Sequence, residues 1–382
     1  MNKKFKLFTH LFPVNGYYRS IIYDLHYEDF SFQNRDLSEK LISICNSKSF
    51  LSSENIDDEY IVHLHKYGYI FEIKEGEQVL YSDMSLYWDY PSEITNLMID
   101  ISQILELNDT KICNLINYIE KIGTKHILLI SEKIVNHLYI DSFMSQISNS
   151  IIQSVEIVVR IDEDKYSLFE KMIKNNKRIK YILFHSSKQE CIKQVSDGNE
   201  HGFYAETTNK FSQINYQQSM VTQDSFTVNI PLFTESQAYH TYFNRKLYIG
   251  ENGEIKNAPE CEETFGNISE INNVDELKQI IATPKFQKYW FVHKELCDVC
   301  KECEFRHMCV DNRLPYQRKD GSWYHKTECN YNPYICKWKD EEGYHTLEEC
   351  GVLSNENGFS INHEKIAAIN KILWEEEETE NA

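Results

Sequence analysis

The spacing of hydrophobic positions changes along the 382-residue chain and marks an N-terminal region of mixed character. Apolar and polar side chains alternate in two neighbouring segments, which predicts a β-hairpin. Apolar positions then recur twice at helical spacing, and a last alternating segment follows. The predicted hairpin strands are 19–26 and 29–33. A first helix begins at 34–36 and carries Leu37, Leu41 and Ile44 on one stripe, and a second covers 56–67. The closing strand is 68–73. This order is typical of a winged-helix-like unit, placed at residues 1–85.

From about residue 90 onwards, apolar runs of strand length alternate with helical patterns. The predicted strands are 94–101, 125–130, 155–161 and 180–184, and the predicted helices are 109–122, 133–148 and 164–175. This alternation predicts βαβ units, because parallel strands need long crossover connections that helices usually provide. The fold class is therefore predicted to be α/β, with a parallel sheet that forms a full or partial (β/α) barrel over residues 86–250.

Composition and charge limit the kinds of partner. Hydrophobic residues make up 41% of the chain and aromatic residues 13%, which is enough for packed cores. The formal net charge of −19 argues against nucleic-acid binding, since neutralising phosphates needs clustered Lys and Arg. No apolar stretch reaches the roughly 18 residues that span a bilayer, and the N-terminus lacks a signal-peptide pattern. We therefore predict a cytoplasmic protein without membrane or nucleic-acid partners, whose thiols stay reduced.

The cysteines are distributed unevenly. Three of the eleven are scattered singly, at Cys45, Cys113 and Cys191, as is usual for cysteines that act as small hydrophobic side chains. The other eight fall in the C-terminal half: Cys261, Cys297, Cys300, Cys303, Cys309, Cys329, Cys336 and Cys350. A concentration of this kind in a protein with reduced thiols indicates metal binding rather than a disulfide framework.

The densest part of this segment has the spacing of metal ligands. Cys300 and Cys303 form a CxxC turn, and Cys309 follows after five intervening residues. A fourth ligand can come from Cys329 or Cys336. Thiolates select zinc or iron–sulfur clusters, and four cysteines suit both, so the spacing does not choose between them. A metal that only holds a loop-rich region together is an alternative to a redox role.

Several phrases resemble the SPASM domain of peptide maturases from grasp-with-spasm cassettes. They are residues 253–257, 265–268, 300–313 and 328–334, and the similarity extends to 5–8, 19–24 and 94–100. Such cassettes combine this protein with an ATP-grasp ligase and a ribosomal precursor peptide. The resemblance implies a peptide-recognition unit at 1–85, a degenerate radical-SAM-like barrel at 86–250, a SPASM-like metal-binding domain at 251–350 and a C-terminal helix with an acidic tail at 351–382.

The resemblance also implies a ligand set, which this chain keeps in part. Cys300, Cys303, Cys309 and Cys329 match the ligands of one auxiliary iron–sulfur cluster, for which we predict [4Fe–4S] with zinc as the alternative. Ligands of the other cluster are lost. Ala258 occupies one ligand position, with Cys261 three residues later, and Arg313 occupies another. A second site rebuilt from Cys261, Cys297, Cys336 and Cys350 is a further hypothesis.

The catalytic motif of radical S-adenosylmethionine enzymes, CxxxCxxC after the first barrel strand, is absent. Residues 102–110, which follow the strand at 94–101, contain no cysteine. We therefore predict that standard radical S-adenosylmethionine catalysis does not occur. Other candidates have plain structural alternatives: Asp100 at a strand end can be a capping residue, His63 and His65 can be a solvated pair, and His307 can replace a cysteine ligand or be structural.

Two functions follow from these observations. The first is an accessory maturation protein that binds a ribosomal precursor peptide, through strand addition to a sheet edge, and acts with an ATP-grasp ligase. The second is an independent redox or metal-dependent enzyme that modifies peptides at the auxiliary site.

Overall fold

The computed structural model describes residues 3–74, 77, 81–104, 109–160, 166–196, 200–213 and 221–375, which form a mixed α/β protein. The chain divides into two compact units. The first, called the cysteine unit, comprises Met1–Trp88, Met220–Thr241 and Val292–Ala382. The second, called the sheet unit, comprises Asp89–Ser219 and Tyr242–Phe291. The predicted N-terminal unit and most of the clustered cysteines therefore belong to one compact unit.

The N-terminal part of the cysteine unit contains five strands and two helices. They are β1 (Lys4–Leu7), β2 (Leu11–Asn15), β3 (Ser20–Asp24), β4 (Asp29–Gln33), α1 (Arg35–Asn46), α2 (Asp58–Lys66) and β5 (Ile70–Ile73). The predicted hairpin is β3 and β4, which pair antiparallel from Ser20–Gln33 to Asp24–Asp29. Strand β2 joins β3 on the other side, and β1 pairs with β5. Among the described strands, β4 is therefore an edge of its sheet.

Helix α1 forms where the pattern predicts it. The Asn34 side chain accepts a hydrogen bond from the Asp36 backbone N–H, which satisfies one of the free donors at the helix start. Leu37, Leu41 and Ile44 are buried, as expected for one apolar stripe. They pack with sheet residues that include Leu11 and Ile22 in one hydrophobic cluster.

Replacing Asn34 with alanine should destabilise the cysteine unit by about 1 kcal/mol, the usual cost of losing an N-cap side chain. Asn34→Asp keeps an acceptor at this position and should be close to wild type. Urea unfolding followed by circular dichroism measures both free energies. Equal stability of the alanine and aspartate variants would contradict this assignment of the cap.

Strand β3 is buried on both faces of the three-stranded sheet, because successive side chains of a strand point in opposite directions. On β3, Ile22 faces the cluster formed with α1. Its neighbours Ile21 and Tyr23 belong to a second cluster, which also contains Phe305 and Trp338 from the cysteine-rich segment. The sheet thus packs between its own helices and the segment that carries the predicted metal ligands.

The sheet unit contains one eight-stranded sheet, which confirms the predicted α/β class. Its strands are β6 (Asn96–Asp100), β7 (His126–Ile134), β8 (Ser154–Arg160), β9 (Ile179–Phe184), β10 (Cys191–Ser196), β11 (Glu200–Glu206), β12 (Lys246–Ile249) and β13 (Ile255–Lys256). The order is β10-β11-β9-β8-β7-β6-β12-β13. The six central strands are parallel, whereas β10 and β13 pair antiparallel at the two ends.

Helices connect the parallel strands. The sheet unit includes α3 (Ile101–Ile104), α4 (Asp109–Lys121), α5 (His137–Gln146) and α6 (Tyr166–Asn175). Two helices follow later in the chain, α7 (Ile230–Ser236) in the cysteine unit and α8 (Val274–Ile281) in the sheet unit. Ile157, Val158 and Val159 on β8 are all fully buried, as expected for a parallel strand covered on both faces.

The C-terminal part of the cysteine unit is rich in loops. Its regular elements are the short strands β14 (Pro315–Gln317), β15 (Trp323–His325), β16 (Tyr331–Asn332), β17 (Lys337–Trp338), β18 (Val352–Asn355) and β19 (Gly358–Ile361), and the helix α9 (His363–Asn370). The strands pair only as two-stranded ribbons, which are marginally stable alone. Among the described residues, no helix combines the length and apolar character needed to cross a membrane.

Candidate metal centre

The CxxC segment is a tight turn. Cys300 begins a single 3₁₀ turn in which the Cys303 backbone N–H donates to the Cys300 carbonyl over 3.1 Å. The preceding residue, Val299, has φ of 64°, a left-handed conformation that a β-branched side chain rarely adopts. Such strain costs on the order of 1–3 kcal/mol and persists only where surrounding contacts enforce it. The turn brings the two CxxC thiols to one side of the chain.

The other two predicted ligands reach the same place from separate segments. The backbone carbonyl of Cys309 accepts a hydrogen bond from the Thr241 hydroxyl at 2.7 Å, next to the end of α7. Cys329 lies two residues before Tyr331, the first residue of β16. All four thiols are half-buried. Together with apolar side chains that include Phe226 and Phe305, they line one cavity of about 30 Å³, which we call the four-cysteine cavity.

The surroundings of this cavity favour neutral thiols unless a cation is present. Burial raises the pKa of Cys303, Cys309 and Cys329, because the thiolate form loses its hydration. A coordinated metal ion reverses this preference and deprotonates its thiol ligands. The donor set of four soft sulfurs in apolar surroundings therefore fits zinc or an iron–sulfur cluster, and it does not fit hard cations such as Mg²⁺.

Charged groups lie directly beside the cavity. Asp311 is fully buried and accepts hydrogen bonds from Lys294 Nζ at 2.7 Å and from Arg313 Nη2 at 2.8 Å. The same Arg313 nitrogen lies 3.7 Å from the Cys300 sulfur. The cationic partners lower the pKa of Asp311 well below its usual value despite burial, so this carboxylate is ionised.

One set of three potential metal donors lies close together among the described residues. A Cys300 sulfur, an Asp311 oxygen and a His325 ring nitrogen are within 4.8 Å of one another. Burial lowers the pKa of His325 to about 3, so the ring is neutral at physiological pH. Its Nε2 atom is buried and has no hydrogen-bond partner within the described ranges of the chain. Since Asp311 is already engaged by two cations, Cys300 and His325 are the donors of this set that remain available.

The spacing of the thiols bears on the kind of metal. Four sulfurs around a single tetrahedral zinc ion, with bonds of about 2.3 Å, would lie roughly 3.8 Å apart. In the part of the chain that the structure describes, no three of the four predicted thiols lie within 4.8 Å of one another. Any three of the four predicted sulfurs therefore include at least one pair more than 4.8 Å apart, a larger separation than a single tetrahedral ion requires.

The other clustered cysteines lie elsewhere. Cys261 belongs to the sheet unit, where burial raises its pKa to about 12. Cys336 is 3.8 Å from a Glu304 oxygen, and Cys350 accepts a hydrogen bond from the Asn332 amide. Cys297 is fully buried, and the next residue, Asp298, donates a backbone hydrogen bond to the Trp323 carbonyl. None of these four lines the four-cysteine cavity or joins a three-donor group among the described residues. The rebuilt second site stays a prediction.

The remaining candidates have structural surroundings. Asp100 ends β6 and accepts hydrogen bonds from both the backbone and the hydroxyl of Ser102, which is a capping arrangement. His307 is bonded to Ser236 through Nδ1 and does not line the four-cysteine cavity. His63 and His65 both lie on α2, where His63 packs against Tyr67 and His65 against Phe5.

A buried carboxylate joins the cysteine-rich segment to the N-terminal sheet. Glu304, next to Cys303, is fully buried, and its Oε1 atom accepts hydrogen bonds from Arg19 Nε at 3.0 Å and the Tyr331 hydroxyl at 2.6 Å. Gly16 lies so close that a Cβ atom there would be 2.8 Å from Glu304 Oε2. The turn between β2 and β3 therefore needs glycine at this position.

Comparisons with known proteins add no relative. No protein-family model, no curated protein and no solved structure matches the chain. The resemblance to SPASM-domain maturases therefore depends on the residues quoted for it above.

Most of the charged groups around the site were not predicted from the sequence. Lys294 and Asp311 were not singled out, and Arg313 was noted only as a lost ligand. Asp311 and Arg313 follow Cys309 by two and four residues, so charged side chains inside a ligand-rich segment were the available signal. Glu304 is another charged residue inside this segment, between the predicted ligands Cys303 and Cys309. Its partner Arg19 lies in the turn just before β3 and has no local pattern that indicates the pair.

Proposed function

We propose that this chain is an accessory maturation protein for a ribosomally synthesised peptide, that it binds the precursor and acts with an ATP-grasp ligase. In this proposal residues 1–85 are a winged-helix-like recognition unit, residues 86–250 a degenerate partial (β/α) barrel, and residues 251–350 a SPASM-like metal-binding domain. The four-cysteine cavity holds an iron–sulfur cluster, [4Fe–4S], through Cys300, Cys303, Cys309 and Cys329.

The proposed cluster is supported by the donor set and by the spacing of the sulfurs. Four soft thiols line the cavity together with apolar and cationic side chains, and any three of the sulfurs include at least one pair more than 4.8 Å apart. When bound, such a cluster supplies single-electron transfer. The protein contributes partial burial of the four sulfurs and cationic side chains beside them.

The observation that carries the peptide-binding role is the open edge of β4. This strand is the last in its sheet, and main-chain groups of an edge strand can pair with an extended peptide. Phe30 and Phe32 on β4 lie 5.7 and 6.3 Å from the ring of Phe305, which lines the four-cysteine cavity. A peptide added to β4 would therefore lie one aromatic ring away from the proposed cluster.

Phe32 offers a side-chain anchor for this peptide. It is 47% exposed, and the Arg19 guanidinium lies 3.8 Å from the centre of its ring. Partly exposed aromatic side chains held in place by a cation are frequent anchors in protein interfaces.

Substituting Phe32 by alanine should weaken precursor binding about tenfold, as expected for an aromatic hot spot worth about 1.4 kcal/mol. Isothermal titration of the full chain with the precursor encoded beside it, and separately with the ligase, measures this. Phe203→Ala is the matched control, because Phe203 is 41% exposed on a strand of the sheet unit. Absence of measurable affinity for both precursor and ligase would overturn the proposed function.

A second function is favoured by one observation. A groove of about 190 Å³ passes Cys300 and Cys329 on its wall, together with Arg313, Lys326 and Glu328. This groove would give a substrate access to the proposed cluster, as an independent peptide-modifying enzyme needs. Incubation of the reconstituted protein with precursor and a reductant, but without the ligase, distinguishes the two functions by the mass of the peptide. A mass change would favour the independent enzyme.

A further inference from the structure

The charged side chains beside the four-cysteine cavity carry more positive than negative charge. Lys294, Arg306 and Arg313 line the cavity, and no carboxylate does so among the described lining residues. Arg306 has an outside partner, since its Nε lies 3.4 Å from Glu295 at the half-exposed surface. In the part of the chain that the structure describes, Lys294 and Arg313 share a single carboxylate partner, that of Asp311.

The burial of this trio makes the imbalance costly. The side chains of Lys294, Asp311 and Arg313 are 3%, 0% and 10% exposed, so water does little to solvate them. Two cations and one carboxylate leave one positive charge in excess. An uncompensated buried charge costs several kcal/mol, and a folded protein normally supplies a counter-charge nearby.

The cavity itself can supply that counter-charge. Four thiolates with one divalent metal ion carry a net charge of −2, from four negative charges and two positive ones, and thiolate-ligated clusters are likewise anionic. The Cys300 sulfur lies 3.7 Å from Arg313 Nη2. Arg313 also donates to the Thr327 carbonyl and to both Asp311 oxygens, so its guanidinium is fixed in orientation.

We propose that Lys294 and Arg313 are the counter-cations of the four-cysteine site, and that their buried positive charge stabilises the anionic metal–thiolate group. They are positioning residues that act on the metal group through space and through the Cys300 sulfur. The inference depends on the metal proposed for this cavity, and it is independent of the peptide and the ligase. Arg313 thus has a role of its own at a position where the SPASM pattern would place another anionic ligand.

The fraction of reduced cluster at a fixed redox potential tests the proposal. The full chain and its variants are reconstituted anaerobically with iron and sulfide, and the ratio of reduced to oxidised cluster is measured by electron paramagnetic resonance at the wild-type midpoint. Reduction adds negative charge, which nearby cations stabilise. Arg313→Gln and Lys294→Gln should each lower the ratio about tenfold, equivalent to about 59 mV for one electron. Asp311→Asn should raise it by a similar factor.

Arg318→Gln is the matched control. Arg318 is 5% exposed and paired at 2.6 Å with the buried Asp298 in the same unit, but it does not line the four-cysteine cavity. Its ratio should stay within twofold of wild type. A purely structural role predicts the same direction of change for Arg313, Lys294 and Asp311, whereas the charge role predicts opposite signs. Ratios within twofold of wild type in both cation variants would overturn the proposal.

Loss of the cluster in a variant is also informative. Should Arg313→Gln fail to take up iron, Arg313→Lys decides, because it retains the charge. Normal iron uptake by Arg313→Lys supports the proposal, and failure of uptake contradicts it. If the chain takes up zinc alone, release of zinc to a chelator replaces the redox measurement. Release should then be about tenfold faster without either cation and slower in Asp311→Asn.

Discussion

Replacing Cys309 with alanine should abolish metal incorporation and leave the cysteine unit without a cooperative unfolding transition. The C-terminal part of this unit consists of loops and two-stranded ribbons, and its four-cysteine cavity lies against the N-terminal sheet. Structural zinc sites contribute about 10–16 kcal/mol of apparent binding free energy, more than a domain's whole stability. Metal analysis by mass spectrometry and thermal unfolding by calorimetry measure the two effects.

A matched control separates the loss of a ligand from the loss of a buried thiol. Cys350 is fully buried in the same unit, where its sulfur accepts a hydrogen bond from Asn332 at 3.4 Å, and it does not line the cavity. Cys350→Ala should retain the metal and lose at most about 1–3 kcal/mol through its missing packing and hydrogen bond. Equal metal content in Cys309→Ala and wild type would refute the proposed ligand set.

The ion pair of Arg19 and Glu304 should have the second largest effect. Replacing Arg19 with alanine is expected to cost about 3–5 kcal/mol, because it leaves a fully buried carboxylate without a counter-charge. The Tyr331 hydroxyl and the Cys336 thiol would then be the remaining donors to Glu304 Oε1, while Oε2 has no partner among the described residues. Urea unfolding of the metal-loaded protein measures the change.

A double-mutant cycle shows whether the cost comes from the stranded charge. Adding Glu304→Gln to Arg19→Ala removes the buried charge and should recover most of the lost stability. The exposed pair of Lys3 and Glu72 provides the comparison, with side chains 67% and 49% exposed. Lys3→Ala should leave stability unchanged within error, because solvent screens such pairs. A double variant no more stable than Arg19→Ala would show that lost packing, and not charge, is responsible.

The secondary structure was predictable where its signal is local. The buried stripe of Leu37, Leu41 and Ile44 and the Asn34 cap define α1 from sequence neighbours alone. The alternating strands and helices between Asn96 and Phe184 gave the parallel sheet for the same reason. Strand β1 was missed because it has only four residues and its partner β5 lies far along the chain.

Long-range pairing explains the other differences in the fold. Strand β12 lies beside β6, with Lys246 opposite Asn96, although many residues separate them in sequence. No local pattern indicates which edge of a sheet a late strand will join. The sheet within residues 1–85 likewise shares a hydrophobic cluster with Phe305 and Trp338, a contact between segments that are far apart in sequence.

The candidate site also combines features that are local in sequence with features that depend on the fold. The CxxC spacing and the cysteine that follows it are local signals, and they identified four thiols that line one cavity. The pairing of Arg19 with Glu304 is made by the fold over a separation of 285 residues. Lys294 and Asp311 are 17 residues apart in sequence. Their pairing depends on how the chain between them folds, including the turn that begins at Cys300.

The discontinuity of the cysteine unit has a consequence for synthesis. Residues Met1–Trp88 leave the ribosome well before the side chains that complete the core under their sheet, such as Phe305 and Tyr331. The continuous stretch Asp89–Ser219 can begin to fold in the interval, since domains tend to fold as their residues emerge. We therefore expect the nascent N-terminal sheet to depend on chaperones until Phe305 and Tyr331 have been translated, and metal delivery to follow the synthesis of that segment.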